Sequence, residues 1–298
     1  MVAKRIAALV GALLLIGGAM LLRGFLDDGG SVAVGREGSP VVCDPLVIEA
    51  CKRAFPDVEV TEEQPGVTLT RLLDQRNPDA FVWVTAQIWF DILEDEITRQ
   101  GRANPVGDGS TGLVTSPRLL IHESDVEICE SPERWACLAS GEGGAADLDV
   151  GLDSTESTIG VLSRADLVTG YFGRSDFASN DFATSEFRSW WNQTGERLVA
   201  AQRSSALDDL LVLRGRIDVA PSVVAVWARI ARAEYTATQS ADGAPDLLIS
   251  AAAVGEARLD TDDLAELLAE AGWEPADPDP VRLPDAVSPG VLQALREL

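Results

Sequence analysis

The run Ala80-Phe81-Val82-Trp83-Val84 constrains this chain more than any other segment. Five apolar residues without alternation mark a strand buried on both faces, which requires a sheet covered by helices on each side. The flanking signals agree. Val41-Val42 precedes a helical pattern through Leu46, Ile48, Ala50 and Phe55, and Val58-Glu59-Val60 alternates like a strand. Thr68 to Gln75 reads as a helix with Leu69, Leu72 and Leu73 on one side, and a second helix carries Trp89, Phe90, Ile92 and Leu93. Strands alternating with helices predict an α/β fold with mixed, mostly parallel sheets.

The pattern continues to the C-terminus. Leu113 to Ile121 predicts a strand interrupted by Pro117, and Leu148-Asp149-Val150 another, followed by a helix from Val161 to Phe172. Trp190 to Gln202 and Ser205 to Leu213 read as helical. Pro221 in Val219–Ile230 marks a helix start after a short strand. Leu247-Leu248-Ile249 is a strand, and Asp260 or Thr261 caps a helix over Asp262–Ala271. The Pro- and Asp-rich stretch Glu274–Pro284 predicts an extended strap.

Ahead of the body, Lys4 and Arg5 precede an unbroken apolar and Gly run from Ile6 to Leu22. That length lies where the apolar region of a signal peptide and a short membrane span overlap, since spanning takes about 17–25 residues. An uncleaved anchor over residues 1–26 is the preferred reading. Cleavage after Ser31-Val32-Ala33 is the alternative. In both, Lys4 and Arg5 stay inside and the body is exported. Residues 27–39, rich in Gly, Ser and charge, read as a flexible linker.

Cysteine usage agrees with export. Cys43 and Cys51 stand eight apart, as do Cys129 and Cys137, and four cysteines behind an export signal read as two disulfides. Three connectivities are possible, and local pairing within each couple is expected. Zinc is poorly supplied, because neither couple is a CxxC and His122 is the only histidine. With 24 basic against 48 acidic residues the net charge is −24, a surface that repels nucleic acid.

Enzymatic signatures are missing. His122 is the one imidazole available as a base, no GxSxG surrounds a serine, and neither lysine sits in a Ser-x-x-Lys. There is no GxxxxGK loop and no GxGxxG in a strand-to-helix setting. Asp147, Asp149 and Asp153 hint at a calcium loop, but the remaining ligand positions do not follow, and a solvated acidic loop is the better reading. No cofactor is implied.

Binding is signalled instead where strands give way to helices. Thr85 follows the Phe81–Val84 strand, Ser154 to Thr158 follow Val150, and Ser222 follows Val219-Ala220-Pro221. Ligands of open parallel sheets sit beyond the carboxyl ends of strands, where helix N-termini offer unpaired N–H groups. Hydroxyls at such places also cap helices, so each site alone is ambiguous.

At these residues the chain resembles a family. Asn77-Pro78-Asp79-Ala80-Phe81-Val82-Trp83-Val84-Thr85 with Trp89-x-Asp91 looks like a first-lobe segment of extracellular solute-binding proteins with the type II periplasmic fold. Val150-Gly151-Leu152-Asp153 through Thr158-Ile159-Gly160 is similar to their second-lobe loop and helix. Arg214 to Ala220 resembles their returning strand, and Ala271-Gly272-Trp273 the close of their last helix. The nearest relatives by these segments are the molybdate-type and iron-type binding proteins.

The resemblance implies two lobes joined by two crossovers, near residues 115 and 218, behind an N-terminal membrane helix. Residues 40–115 and 219–298 would form lobe one with its strap, and 116–218 lobe two. It implies that Asp44, Thr85, Ser157, Thr158 and Ser222 line an interlobe cleft for a small ligand, delivered to a membrane permease. Asp44 departs from the family, whose oxyanion binders carry a small residue there. A carboxylate repels an anion, which leaves a cation, sugar or peptide-like ligand. A membrane-tethered interaction protein with the same fold and no transport role is the competing reading; an envelope hydrolase using carboxylates is the third.

Overall fold

A computed structural model of the protein describes residues 38–107, 109–126, 128, 134–141, 143–174, 176–213, 215–239, 246–259, 261–276 and 287–297. The N-terminal apolar segment, all but the last two residues of the linker, Cys129, Arg214 and residues 277–284 of the strap lie outside them. Among the described residues no helix is long and apolar enough to cross a membrane.

The buried run Phe81–Ala86 is strand β3 of a six-stranded mixed sheet. Its companions are β1 (Val41–Cys43), β2 (Val60–Glu62), β4 (Thr111–Ser116), β10 (Leu247–Val254) and β11 (Glu274–Pro275), in the order β11-β4-β10-β3-β1-β2. β1 runs parallel to both β2 and β3, with Val41 opposite Val60 and Val82. Parallel neighbours need crossover helices. These are α1 (Ile48–Ala54), α2 (Pro65–Asp74), which begins on a proline at the position that needs no N–H donor, and, after β3, α3 (Gln87–Arg99).

The second sheet has five strands in the order β7-β6-β8-β5-β9. They are β5 (Arg118–Glu123), β6 (Val150–Leu152), β7 (Leu198–Ala200), β8 (Val219–Val223) and β9 (Tyr235–Gln239). Its helices are α4 (Arg134–Ser140), α5 (Thr158–Phe172), α6 (Ser185–Gly195), α7 (Ala206–Val212) and α8 (Val224–Ile230). Two more, α9 (Asp262–Glu270) and α10 (Pro289–Arg296), follow β10.

Four expectations are corrected. The sheets are evenly mixed, not mostly parallel. Pairings β1–β2, β1–β3, β6–β7 and β6–β8 are parallel, and β3–β10, β4–β10, β4–β11, β5–β8 and β5–β9 antiparallel. The strands flanking the crossings supply the antiparallel pairs. The chain passes from the first sheet to the second at Pro117, the single residue between β4 and β5. The second crossing lies beyond Gln239, not near residue 218, because β8 and β9 both belong to the five-stranded sheet.

Pro221 sits inside β8 and does not open a helix. β6 pairs with β8 only at Val219, so one edge of β8 carries no ladder at Pro221. Finally, the helix predicted over Trp190–Gln202 stops at Gly195. Leu198-Val199-Ala200 extends parallel to β6 instead.

Trp83, Trp89, Leu69, Leu72, Ile92 and Leu93 are fully buried around the first sheet. That core continues without a break into Ile159, Val161, Ala165 and Val168 of α5 and into Phe177, Phe182 and Phe187. Phe172 and Phe187 stack at 5.7 Å with an interplanar angle of 5°, and Tyr171 stacks on Trp190 at 4.2 Å. Both members of the Trp190-Trp191 pair are therefore held partly buried against these rings.

Candidate functional site

At the carboxyl end of β1 the chain turns sharply. Asp44 N–H donates to the Val84 carbonyl (2.9 Å), Asp44 O accepts from Val47 N–H (3.0 Å), and Asp44 Oδ1 accepts from Leu46 N–H (3.0 Å). A Cys43–Cys51 disulfide, the local pairing expected, ties this turn to α1. Cys137 is also disulfide-bonded. Its expected partner, Cys129, is outside the described residues.

The remaining carboxylate oxygen of Asp44 collects one hydroxyl from β3 and one from the start of α5. Thr85 Oγ1, near the end of β3, donates to Oδ2 at 3.3 Å. Thr158 Oγ1, the first residue of α5, donates to the same atom at 2.6 Å. Thr158 Oγ1 in turn accepts from Trp89 Nε1–H at 2.8 Å. Asp44, Thr85, Trp89 and Thr158 are all at most 2% exposed. Burial pushes the Asp44 carboxyl above its ordinary range, and the bonds from Thr158, Leu46 and Thr85 oppose that only in part. Its proton balance is set by burial against the Leu46 N–H and the two threonine hydroxyls.

Three of the five expected site residues thus converge: Asp44, Thr85 and Thr158. Ser157 does not join them. It caps α5, accepting from Gly160 N–H (2.9 Å) and donating to the Ser154 carbonyl (2.9 Å). Ser222 lies within β8 opposite Leu119 and lines a separate cavity of about 10 Å³ with Arg118, Ser163 and Asp166. There Arg118 donates to Asp166 at 2.7 Å, with both side chains mostly buried. Burial raises the Asp166 pKa, and the guanidinium beside it counteracts.

Sequence reading overlooked several participants. Trp89 reads as plain core, and it is core, yet its indole N–H completes the Asp44 cluster. Asp153 reads as a solvated loop residue and is 7% exposed. Its Oδ1 accepts from Ala206 N–H at 2.5 Å at the start of α7, and burial lifts its pKa to about 6. Arg164 of α5 lies close enough to temper that shift, and donates to the Asp153 carbonyl at 2.9 Å. Among the described residues no group of three or more metal-ligating side chains exists, calcium-like spacing notwithstanding. His122, the sole imidazole, is buried in β5 with Nδ1 2.9 Å from the Glu123 carbonyl. Apart from the Asp44 cluster, an open groove of about 500 Å³ follows α2 past Val67, Thr70, Arg71, Asp74 and Gln75 to Glu156.

No protein-family model and no functionally curated protein matches the sequence. Solved structures do match. A periplasmic binding protein, P5PA, aligns with a TM-score of 0.50 at 14% identity over 85% of this chain and 90% of its own. A periplasmic thiamin binding protein aligns at 0.48 and 15% identity, covering 78% of this chain and 77% of its own. The Azotobacter vinelandii periplasmic molybdate-binding protein aligns at 0.44 and 10% identity, covering 78% and 92%. The fold is that of type II periplasmic solute-binding proteins. At these identities the likeness speaks to fold alone.

Proposed function

We propose that this chain is an extracytoplasmic solute-binding protein, anchored to the cell membrane by residues 1–26, that takes a small ligand at Asp44 between two lobes and passes it to a membrane permease. One observation carries the reading. Segments 41 and 114 residues away in sequence bring hydroxyls onto a single buried carboxylate beyond the ends of β1 and β3. In this fold that is where a ligand belongs. A buried carboxylate with hydroxyl partners and no countercharge is complementary to a cationic or hydroxyl-rich solute. A second negative charge about 4 Å away would cost about 1–4 kcal/mol, depending on solvation, which disfavours oxyanions. The ligand replaces Thr158 on Asp44 when the lobes part, so the bonds seen here belong to the closed, self-satisfied form.

The test is thermal unfolding of the full-length protein with cations, amines, sugars, amino acids, peptides and oxyanions. A ligand at 100 times its dissociation constant adds about 2.7 kcal/mol of stability. A specific shift that disappears in Asp44→Asn supports the receptor reading. Shifts with none of the panel would sink it. A second reading, a tethered interaction protein with a cleft that stays shut, has its own support in the apolar core running unbroken from the first sheet into α5. It predicts a flat panel from a well-folded protein.

A further inference from the structure

We propose that the C-terminal helix α10 is a clasp across the mouth of the Asp44 site, with Arg296 as its catch. The helix packs on α3, which follows β3 of the first sheet, and on α5, which follows β6 of the second. Val291, Leu292 and Leu295 bury its inner face. In its last turn, Arg296 is 7% exposed at the side chain and binds both sides at once. Its Nη2 donates to the Gly66 carbonyl of α2 at 3.2 Å, to Thr70 Oγ1 at 3.3 Å, and to Glu156 Oε2, in the loop between β6 and α5, at 2.9 Å. The same guanidinium lies over the Trp89 ring, 5.4 Å from its centroid, on the side chain whose N–H holds Thr158. A desolvated guanidinium that is both ion-paired and stacked is among the stronger polar contacts available to a protein.

The two sides touch directly under this catch. Gly66 N–H donates to the Glu156 carbonyl at 2.9 Å. The approach is so close that a Cβ on Gly66 would stand 2.8 Å from Glu156 Cα and 1.9 Å from its Oε2. Glycine is therefore required for α2 to meet the 154–157 loop. Separation of Asp44 from Thr158 also breaks Arg296 from Glu156 and Gly66 from Glu156, so access to the site is governed from the C-terminus. The inference rests on the reading of Asp44 as the ligand site, but its test needs no ligand.

Hydrogen exchange of the full-length protein without solute reads the clasp through the Gly66 amide and the Trp89 indole N–H. Arg296→Ala leaves the apolar face of α10 in place, and Glu156→Ala removes the half-buried partner. Either should speed exchange at both protons about tenfold, while Val82 in β3 and Ala220 in β8 keep wild-type rates. Arg296→Lys, which keeps the charge but loses the planar fork, should fall between. Unchanged Gly66 and Trp89 exchange in both alanine variants, or a rise shared equally by Val82 and Ala220, overturns the proposal. Failure of the clasp leaves the solute panel unaffected; a flat panel with altered exchange leaves the contact between α2 and the 154–157 loop standing and removes its role at a ligand site.

Discussion

Thr158 donates its hydroxyl to the Asp44 carboxylate across 114 residues of sequence, at 2.6 Å and out of contact with solvent. It is one atom with two duties, because the same oxygen accepts the Trp89 indole N–H.

Thr158→Val keeps the shape and removes the oxygen, leaving a buried carboxylate oxygen and a buried N–H short of a partner. The expected cost is about 2–4 kcal/mol, read as a lower urea midpoint. Thr158→Ser restores both bonds and should recover most of that loss. A Val variant as stable as wild type would mean that the cluster is wet or loosely made.

Asp44→Asn should act in opposite directions on stability and binding. Burial raises the Asp44 pKa in the folded state, so folding favours the protonated form, and ionisation above that pKa opposes folding. The amide removes that opposition. The variant should therefore melt higher than wild type at pH 7.5, with the difference shrinking toward pH 4. Capture of a cationic solute should be lost. Calorimetric scans at the two pH values decide the first part; equal differences at both refute it.

Asp153 gives a defined window. Its folded pKa is raised from 3.8 to about 6, so the folded state holds more protons than the unfolded state between these values. Stability contributed by this group is greatest below pH 4 and falls as pH rises through 6. By pH 7 the loss is on the order of 3 kcal/mol, the free-energy equivalent of moving the carboxyl from 3.8 to about 6. Asp153→Asn can still accept from Ala206 N–H, and should flatten that part of the pH profile. A variant profile parallel to wild type from pH 4 to 7 would contradict the assignment.

Gly160→Ala tests the turn that presents Thr158. An added Cβ would lie 1.9 Å from the Ser154 carbonyl and 2.8 Å from that of Asp153, both backbone atoms without freedom to yield. A loss of at least about 3 kcal/mol in chemical unfolding is expected. A loss below about 1 kcal/mol would show that the 153–157 turn can relax.

Much of this was readable in advance where local chemistry decides the outcome. The unbroken Phe81–Val84 run is central in its sheet, Pro117 divides β4 from β5, and the Cys43–Cys51 spacing matches one turn into α1. Hydroxyls at strand ends pointed to Thr85 and Thr158, and the family resemblance to Asp44. Other features were hidden for physical reasons. Pro221 looks like a helix start because its tolerance in β8 depends on where the neighbouring strand stops. Tyr235-Thr-Ala-Thr-Gln alternates too weakly to stand out, since β9 is an edge strand that buries only its first residue well. Arg296 and Glu156 are 140 residues apart and unremarkable in a chain with 48 acidic side chains. Ser157 and Ser222 show the limit of the hydroxyl signal, which serves capping and packing as readily as ligands.

The position of β10 has a consequence for the order of events during synthesis. It lies between β3 and β4, yet at Leu247–Val254 it is made after every strand of the five-stranded sheet. As a chain emerges from its N-terminus, the second sheet is complete while the first is still split, with β3 and β4 each offering an open edge. Domains tend to fold as their sequence becomes available, and unpaired edges invite association. The six-stranded sheet should therefore close last, as one late step that joins β2–β1–β3 to β4. Pulsed labelling during refolding would show protection at Ile121 before Val84; simultaneous protection would argue for a single nucleus spanning both sheets.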